Sequence, residues 1–288
     1  MTDYASALDA RIRHVYRDLP EAERKLADVV LTRQRELLGY SATELAELAG
    51  TSKSSAARFF RSLGYAGYEE FRQALRATQQ QQSPLSRMAS LRRQDSLGQQ
   101  LQQHLHTDAA LLNEWADAVP EAQLEAALGL LRKARKVWVV GYRHSHVTAF
   151  YAQSLLAQVR GEVFSLNDPA GRDADLLACA SDKDVVLAVD FRRRSARLPQ
   201  VLAAARQAGA QTLVLTDAPV SALAMQAQVV LRCGASAQQG LFDSYVCGVS
   251  VVNFLAATLA QQLRASTQGR LERIERLHVA LDDLEPQL

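Results

Sequence analysis

SATELAELAGTSKSSAARFFRSLGY, residues 41–65, reads as two short helices joined by a tight turn. Ser41 or Thr43 can cap a first helix carrying Leu45 and Leu48. Gly50 suits the left-handed turn that follows, and Thr51 or Ser52 can cap a second helix. In that second helix Ala56, Phe59, Phe60 and Leu63 fall at i, i+3, i+4 and i+7, an apolar face that must pack on its neighbours. Thr51 and Ser52 at its start, then Lys53, Ser54, Ser55, Arg58 and Arg61, form the other face, and no acidic residue occurs from Thr51 to Leu63. Short hydroxyls at a helix start with arginines further along suit a helix that enters the DNA major groove by its N-terminal end. An ordinary solvated amphipathic helix is the plainer alternative.

Upstream, Ala22, Leu26, Val29 and Val30 share one face of a helix that starts at Pro20, a residue suited to a helix start. Downstream, Gln79 to Gln82 lead into SPLSRMASLRRQD, which lacks a sustained apolar face and reads as a linker or an exposed helix extension. Helical periodicity resumes from Leu97 to Val119 and again from Glu121 to Arg132. The pattern then changes to alternation. VWVVG (137–141), EVFSL (162–166), DVVLAVDF (184–191), QTLVLTD (211–217) and VVLRC (229–233) read as strands. Helices are expected at Ser145–Arg160, Pro199–Ala208 and Ser221–Gln226, with Asp243–Arg264 and Leu271–Leu284 closing the chain. Near-continuous apolar strands separated by helices predict a parallel sheet covered on both faces.

At 288 residues the chain has room for one large or two moderate domains, and its formal charge of +2 leaves any anion-binding surface to a local basic patch. Its first residues lack the apolar core of a signal peptide, and no segment approaches the ~20 apolar residues that span a bilayer. A cytoplasmic protein with no membrane partner is expected. Cys179, Cys233 and Cys247 lack CxxC spacing and are expected as small buried hydrophobes. His104 and His106, like His144 and His146, are two apart and point to different faces of a helix, so no metal is expected.

Ligands of open parallel sheets sit outside the carboxyl ends of the strands. Two loops occupy that place: Gly141-Tyr142-Arg143-His144-Ser145 after the first strand, and Asp190-Phe191-Arg192-Arg193-Arg194-Ser195 after the third. GYRHSH lacks the second and third glycines of a dinucleotide fingerprint, and there is no Walker lysine loop. No cofactor is expected.

Together, LPEAERKLADVVL, SATELAELAGTSKSSAARFFRSLGYAGYEEFRQAL and the sheet domain beginning VWVVGYRHS resemble the MurR/RpiR family of bacterial transcriptional regulators, from about residue 16 to 270. The resemblance implies a two-domain α plus α/β chain. Its parts are an all-α helix-turn-helix DNA-binding domain over 1–78, a linker over 79–96, and over 97–288 a doubly wound five-stranded parallel sheet of the sugar-isomerase (SIS) type. It further implies a double-stranded DNA operator as partner, a phosphosugar-like effector, and a homodimer or homotetramer.

In SIS domains the first strand usually runs into Gly-x-Gly-x-Ser and the third into Ser-x-Ser-Gly-x-Thr. Here Arg143 replaces the second glycine of the first loop. Asp190 and Arg192 take the serines' places in the second, Arg193 takes the glycine's, and Ser195 stands for the threonine. Arginine fills the room that glycine leaves for a phosphate, and supplies a charged fork of donors instead. The candidate ligand residues are therefore Arg143, His144, Ser145, Arg192, Arg193, Arg194 and Ser195, for a small anionic metabolite. Burying unpaired guanidinium groups costs several kcal/mol each. The arginine run must then meet an anionic effector, carboxylates of the protein (Asp190, Asp168 or Asp173) or a partner subunit, or water. A sugar-phosphate isomerase and an effector-independent DNA-binding protein are the alternative functions, and no positioned base marks the chain as an enzyme.

Overall fold

The computed structural model describes residues 11–12, 15–16, 18–32, 40–81, 84–90, 96–218, 222–233 and 241–283. The chain divides into two compact units. One holds residues 1–103 with 218–226 and 236–243, and the other holds 104–217, 227–235 and 244–288.

The first unit is helical: α1 (Glu21–Thr32), α2 (Ala42–Leu48), α3 (Lys53–Ser62), α4 (Tyr68–Gln81) and α5 (Pro84–Ser90). Ser41, not Thr43, caps α2 in a capping box. Its Oγ accepts from the Glu44 N–H, and the Glu44 carboxylate accepts from the Ser41 N–H at 2.6 Å. Gly50 takes a φ of +61°, the left-handed turn that the sequence requires. Ser52 then caps α3 by accepting from the Ser55 N–H at 3.2 Å. The apolar faces of α1, α2 and α3 close on one another through Leu26, Val30, Leu45, Ala56, Phe59, Phe60 and Leu63, all buried. Phe71 of α4 stacks on Phe60, ring centroids 4.9 Å apart. The expected linker residues 79–81 continue α4, and α5 follows. Residues 82–83 and 91–95 lie outside the described residues, as do the N-terminal ten.

In the second unit α6 (Leu97–Ala118, its first residues in the first unit) and α7 (Glu121–Lys133) precede the sheet. The sheet elements follow as β1 (Val137–Gly141), α8 (Ser145–Val159), β2 (Val163–Ser165), α9 (Asp173–Leu177), β3 (Val185–Asp190), α10 (Arg197–Gln207), β4 (Gln211–Thr216), α11 (Ala222–Gln226, which belongs to the first unit), β5 (Val229–Arg232), α12 (Val246–Gln262) and α13 (Arg264–Leu281). All five strands are parallel in the order β2-β1-β3-β4-β5. Val137, Val139, Val185, Leu187, Val189, Leu213, Leu215 and Leu231 bury one face under α7, α8 and α12, while α10 packs on β3 and β4.

The sequence reading differs from the fold at several places. The short α9 carries too few residues to show a period. Helix α10 starts two residues early because Pro199 falls in its first turn, where a missing N–H costs nothing. The last helix begins at Arg264, not Leu271: the chain turns through 108° at Leu263 and is helical again at once. Cys233 and Cys247 are buried, but Cys179 is exposed because it follows the short α9 at the surface.

Asp184 fixes the entry to β3. Its carboxylate accepts from Arg135 Nε at 3.0 Å, Arg135 Nη2 at 2.8 Å, and the N–H groups of Lys136 and Ser181. Burial works to raise its pKa, yet the hydrogen bonds from Arg135 and the two amides outweigh burial and hold the carboxyl below the usual range. A depressed carboxyl stabilises the fold above the unfolded pKa of about 4, and that contribution is lost as pH falls through the folded value. Asp184→Asn should cost about 1–2 kcal/mol at pH 7 in urea unfolding, with the gap to the wild type narrowing as the pH falls below about 4. A gap independent of pH would contradict this account.

Candidate DNA-reading face and anion site

On α3, Ser52, Lys53, Ser54, Arg58 and Arg61 are exposed, and the first turn has no acidic residue. Two of the expected DNA-binding residues are placed otherwise. Thr51 is half-buried and its hydroxyl donates to the Ala46 carbonyl at 3.3 Å, so it braces the turn. Ser55 is buried, its Oγ within 3.0 Å of Ser52 Oγ and accepting from Arg58 Nη2 at 3.2 Å. The sequence reading missed Glu23. This buried α1 carboxylate accepts from Arg58 Nε at 3.4 Å and steers the guanidinium while most of the side chain stays in water. Only the packing of α1 on α3 brings residues 23 and 58 together, so sequence spacing carries no sign of it.

In the second unit the sheet order makes the chain leave β1 toward one edge and β3 toward the other, so the crevice between their carboxyl ends is the topological switch point. Both candidate loops lie there. Arg143 adopts a φ of +58°, backbone that favours glycine, at the position where the resemblance expects one. Arg143, His144 and Arg193 are exposed. Ser145 is buried, and its Oγ accepts from the Phe191 N–H at 3.1 Å, which ties the β1 loop to the β3 loop. Ser195 Oγ accepts from the Arg197 N–H at 3.1 Å, just before α10.

The arginine run does not behave as a unit. Arg192 is buried and donates from Nε to Asp217 Oδ2 at 3.1 Å, while Arg194 bonds Asp217 through Nη2 and lies 3.2 Å from Asp190 Oδ2 through Nε. Asp217 is not among the carboxylates that the sequence suggests as partners. Two that it does suggest, Asp168 and Asp173, hold Arg172 and Arg197 instead. Beside them the Tyr142 hydroxyl donates to Asp173 at 2.8 Å, and burial together with that carboxylate pushes the phenol up to about 12. Tyr245 donates to the Arg192 carbonyl at 2.7 Å, and its ring lies 6.3 Å from His144. Among the described residues no cluster of three or more His, Cys, Asp or Glu could hold a metal ion. No single helix there is long and apolar enough to cross a membrane.

Residues 6–82 match the model of the rpiR-family helix-turn-helix domain, and residues 130–258 match that of the SIS domain. The chain joins an rpiR-family helix-turn-helix domain to a SIS domain. A Bacillus subtilis relative, the uncharacterised HTH-type transcriptional regulator YbbH, is 22% identical over 268 residues, 92% of this chain and 94% of that one. The sugar isomerase domain of an RpiR transcription factor from Sphaerobacter thermophilus is 26% identical with a TM-score of 0.57, and covers 60% of this chain and 97% of its own. The NanR protein of Vibrio vulnificus, solved in complex with ManNAc-6P, covers 95% of this chain and 98% of its own at a TM-score of 0.59. At 18% identity, it shows a shared fold.

Proposed function

We propose that α3 reads a double-stranded operator through Ser52, Lys53, Ser54, Arg58 and Arg61, and that the SIS unit binds a small anionic metabolite, a phosphosugar or a sugar acid, which changes DNA affinity. The observation that carries the first half is a helix face with three exposed cations, no acid, and a buried carboxylate that aims one of them. Support for the second half comes from Arg143, His144 and Arg193, exposed at the switch point where parallel sheets bind ligands. In this reading residues 1–78 are the reading head, 79–96 the connection and 97–288 the sensor. The protein acts in the cytoplasm without a cofactor, as a homodimer or homotetramer that places two heads on two half-sites. Val147 and Phe150 of α8 and Phe254 of α12 leave large apolar side chains in water, which suits self-association.

The test joins two measurements on the full chain. Fluorescence anisotropy on a selected operator and on random DNA at the same salt should show at least a hundredfold preference, about 3 kcal/mol. A thermal-shift panel of sugar phosphates, sugar acids and dicarboxylates should stabilise the wild type, and an Arg143→Ala, Arg193→Ala variant should respond less. These two exposed arginines are the right pair to change, since removing Arg192 or Arg194 would also break buried ion pairs. Equal affinity for all DNA, or an anion response unchanged in the variant, would overturn the respective half. Aldose–ketose interconversion during the panel would favour the isomerase alternative.

A further inference from the structure

Asp217, just past the end of β4, is held as a bound anion would be. Its Oδ2 accepts from the Arg192 N–H at 3.3 Å and from Arg192 Nε at 3.1 Å, and its Oδ1 accepts from Arg194 Nη2. One main-chain amide and two guanidinium groups converging on a single carboxylate form the donor set that recognises small oxyanions. The surroundings are enclosed: the Arg192 side chain is 8% exposed, Asp217 11% and Asp190 2%. With Asp190 opposite Arg194, two positive and two negative charges balance among the described residues. A second anion brought to Arg192 and Arg194 would meet a neutral cluster and the repulsion of Asp217. It gains their full charge only if that carboxylate leaves.

We propose that Asp217 is a built-in counter-anion of the sensor site, and that an oxyanion-bearing effector engages Arg192 and Arg194 by displacing it. The inference rests on the anion-sensing reading above and names the regulation of that site. The displaced carboxylate belongs to the residue that follows β4, and the Arg192 carbonyl is held by Tyr245 at the start of α12. Exchange of the anion therefore acts directly on the exit from β4 and on the entry to α12. Phosphate monoesters and sugar carboxylates share the chemistry required, two oxygens in one plane facing a guanidinium fork.

Isothermal titration calorimetry with inorganic phosphate, glucose 6-phosphate and gluconate distinguishes these sources. Asp217→Asn, which keeps the shape and removes the charge, should bind at least one of the three tenfold or more tightly than the wild type. Adding Arg194→Gln to Asp217→Asn should abolish that gain. Asp217→Ser serves if the asparagine variant does not fold. If both fold only with phosphate present, the external anion is replacing the carboxylate as proposed. If neither folds even at saturating phosphate, or if Asp217→Asn binds all three no better than wild type, the proposal is wrong. A wild type that ignores all three anions beside an Asp217→Asn variant that gains binding sinks the effector reading and leaves the internal anion standing. A responsive wild type with no gain in the variant does the reverse.

Discussion

Changing Arg58 and Arg61 together to alanine should weaken operator binding about 100-fold, which is ~2.8 kcal/mol shared between two interactions of the 1–3 kcal/mol size that a base-edge hydrogen bond provides. Both side chains lie on the exposed face of α3, and the apolar face of the helix is made by Ala56, Phe59, Phe60 and Leu63. Arg58→Ala also takes this cation from the buried Glu23 carboxylate, so the melting temperature should fall by a few degrees, and binding is measured well below it. Single variants separate the two roles. If Arg58 hydrogen-bonds a base edge, Arg58→Ala relaxes preference at one position of the operator. If Arg61 pairs with a phosphate, Arg61→Ala lowers affinity for every sequence and reduces the salt slope by about one. Glu23→Gln is the companion measurement, because it keeps both cations and removes only the carboxylate that steers Arg58. An operator affinity within twofold of wild type in the double variant would remove α3 from the interface.

Gly141→Ala should destabilise the second unit by about 3 kcal/mol, the upper range for overpacking, and lower its melting temperature by about 6–12 °C. Gly141 ends β1 where the first turn of α8 passes over it. A Cβ there would stand 2.6 Å from the Ser145 carbonyl oxygen and 3.0 Å from Ala149 Cβ. The first obstacle is backbone, so no side-chain rotation relieves it, and α8 must withdraw from the sheet. Withdrawal would also pull Ser145 from the Phe191 N–H and open the joint between the two candidate loops. The anion response should therefore fall together with stability. Gly129 in α7 is the contrasting site. A Cβ there meets nothing within 4 Å, and Gly129→Ala should stabilise the helix by roughly 0.5–1 kcal/mol. If both glycines tolerate alanine equally in thermal unfolding, the close approach of α8 to β1 is not a structural requirement.

Much of this protein was legible in one dimension because the deciding signals are local. Capping hydroxyls, a glycine in a left-handed turn and an apolar residue every three or four positions are properties of neighbouring residues, and they located α2, α3 and the turn between them. Five apolar runs separated by helical stretches were enough to predict a covered parallel sheet. The two loops at its carboxyl ends followed from chain order alone. The readings that failed depended on surroundings. Ser55 looked like part of a polar face and is buried; Cys179 looked like core and lies in water.

Charge pairing was the least legible feature. The sequence required that three consecutive arginines find anions or water, since buried unpaired guanidinium groups are too costly to keep. It could not name the partners, because Asp217 is 23 residues from Arg194 and Glu23 is 35 from Arg58. Strand order β1-β3-β4 brings the end of β4 beside the end of β3, and that adjacency places Asp217 within reach of Arg192 and Arg194. The sequence by itself determined a helix-turn-helix head, a parallel sheet, and an arginine loop at the switch point between β1 and β3. Tertiary structure alone decided which of those arginines are exposed and which are already held by a carboxylate of the protein. Periodicity and caps act between neighbours in the chain, whereas an ion pair is set by distance in space.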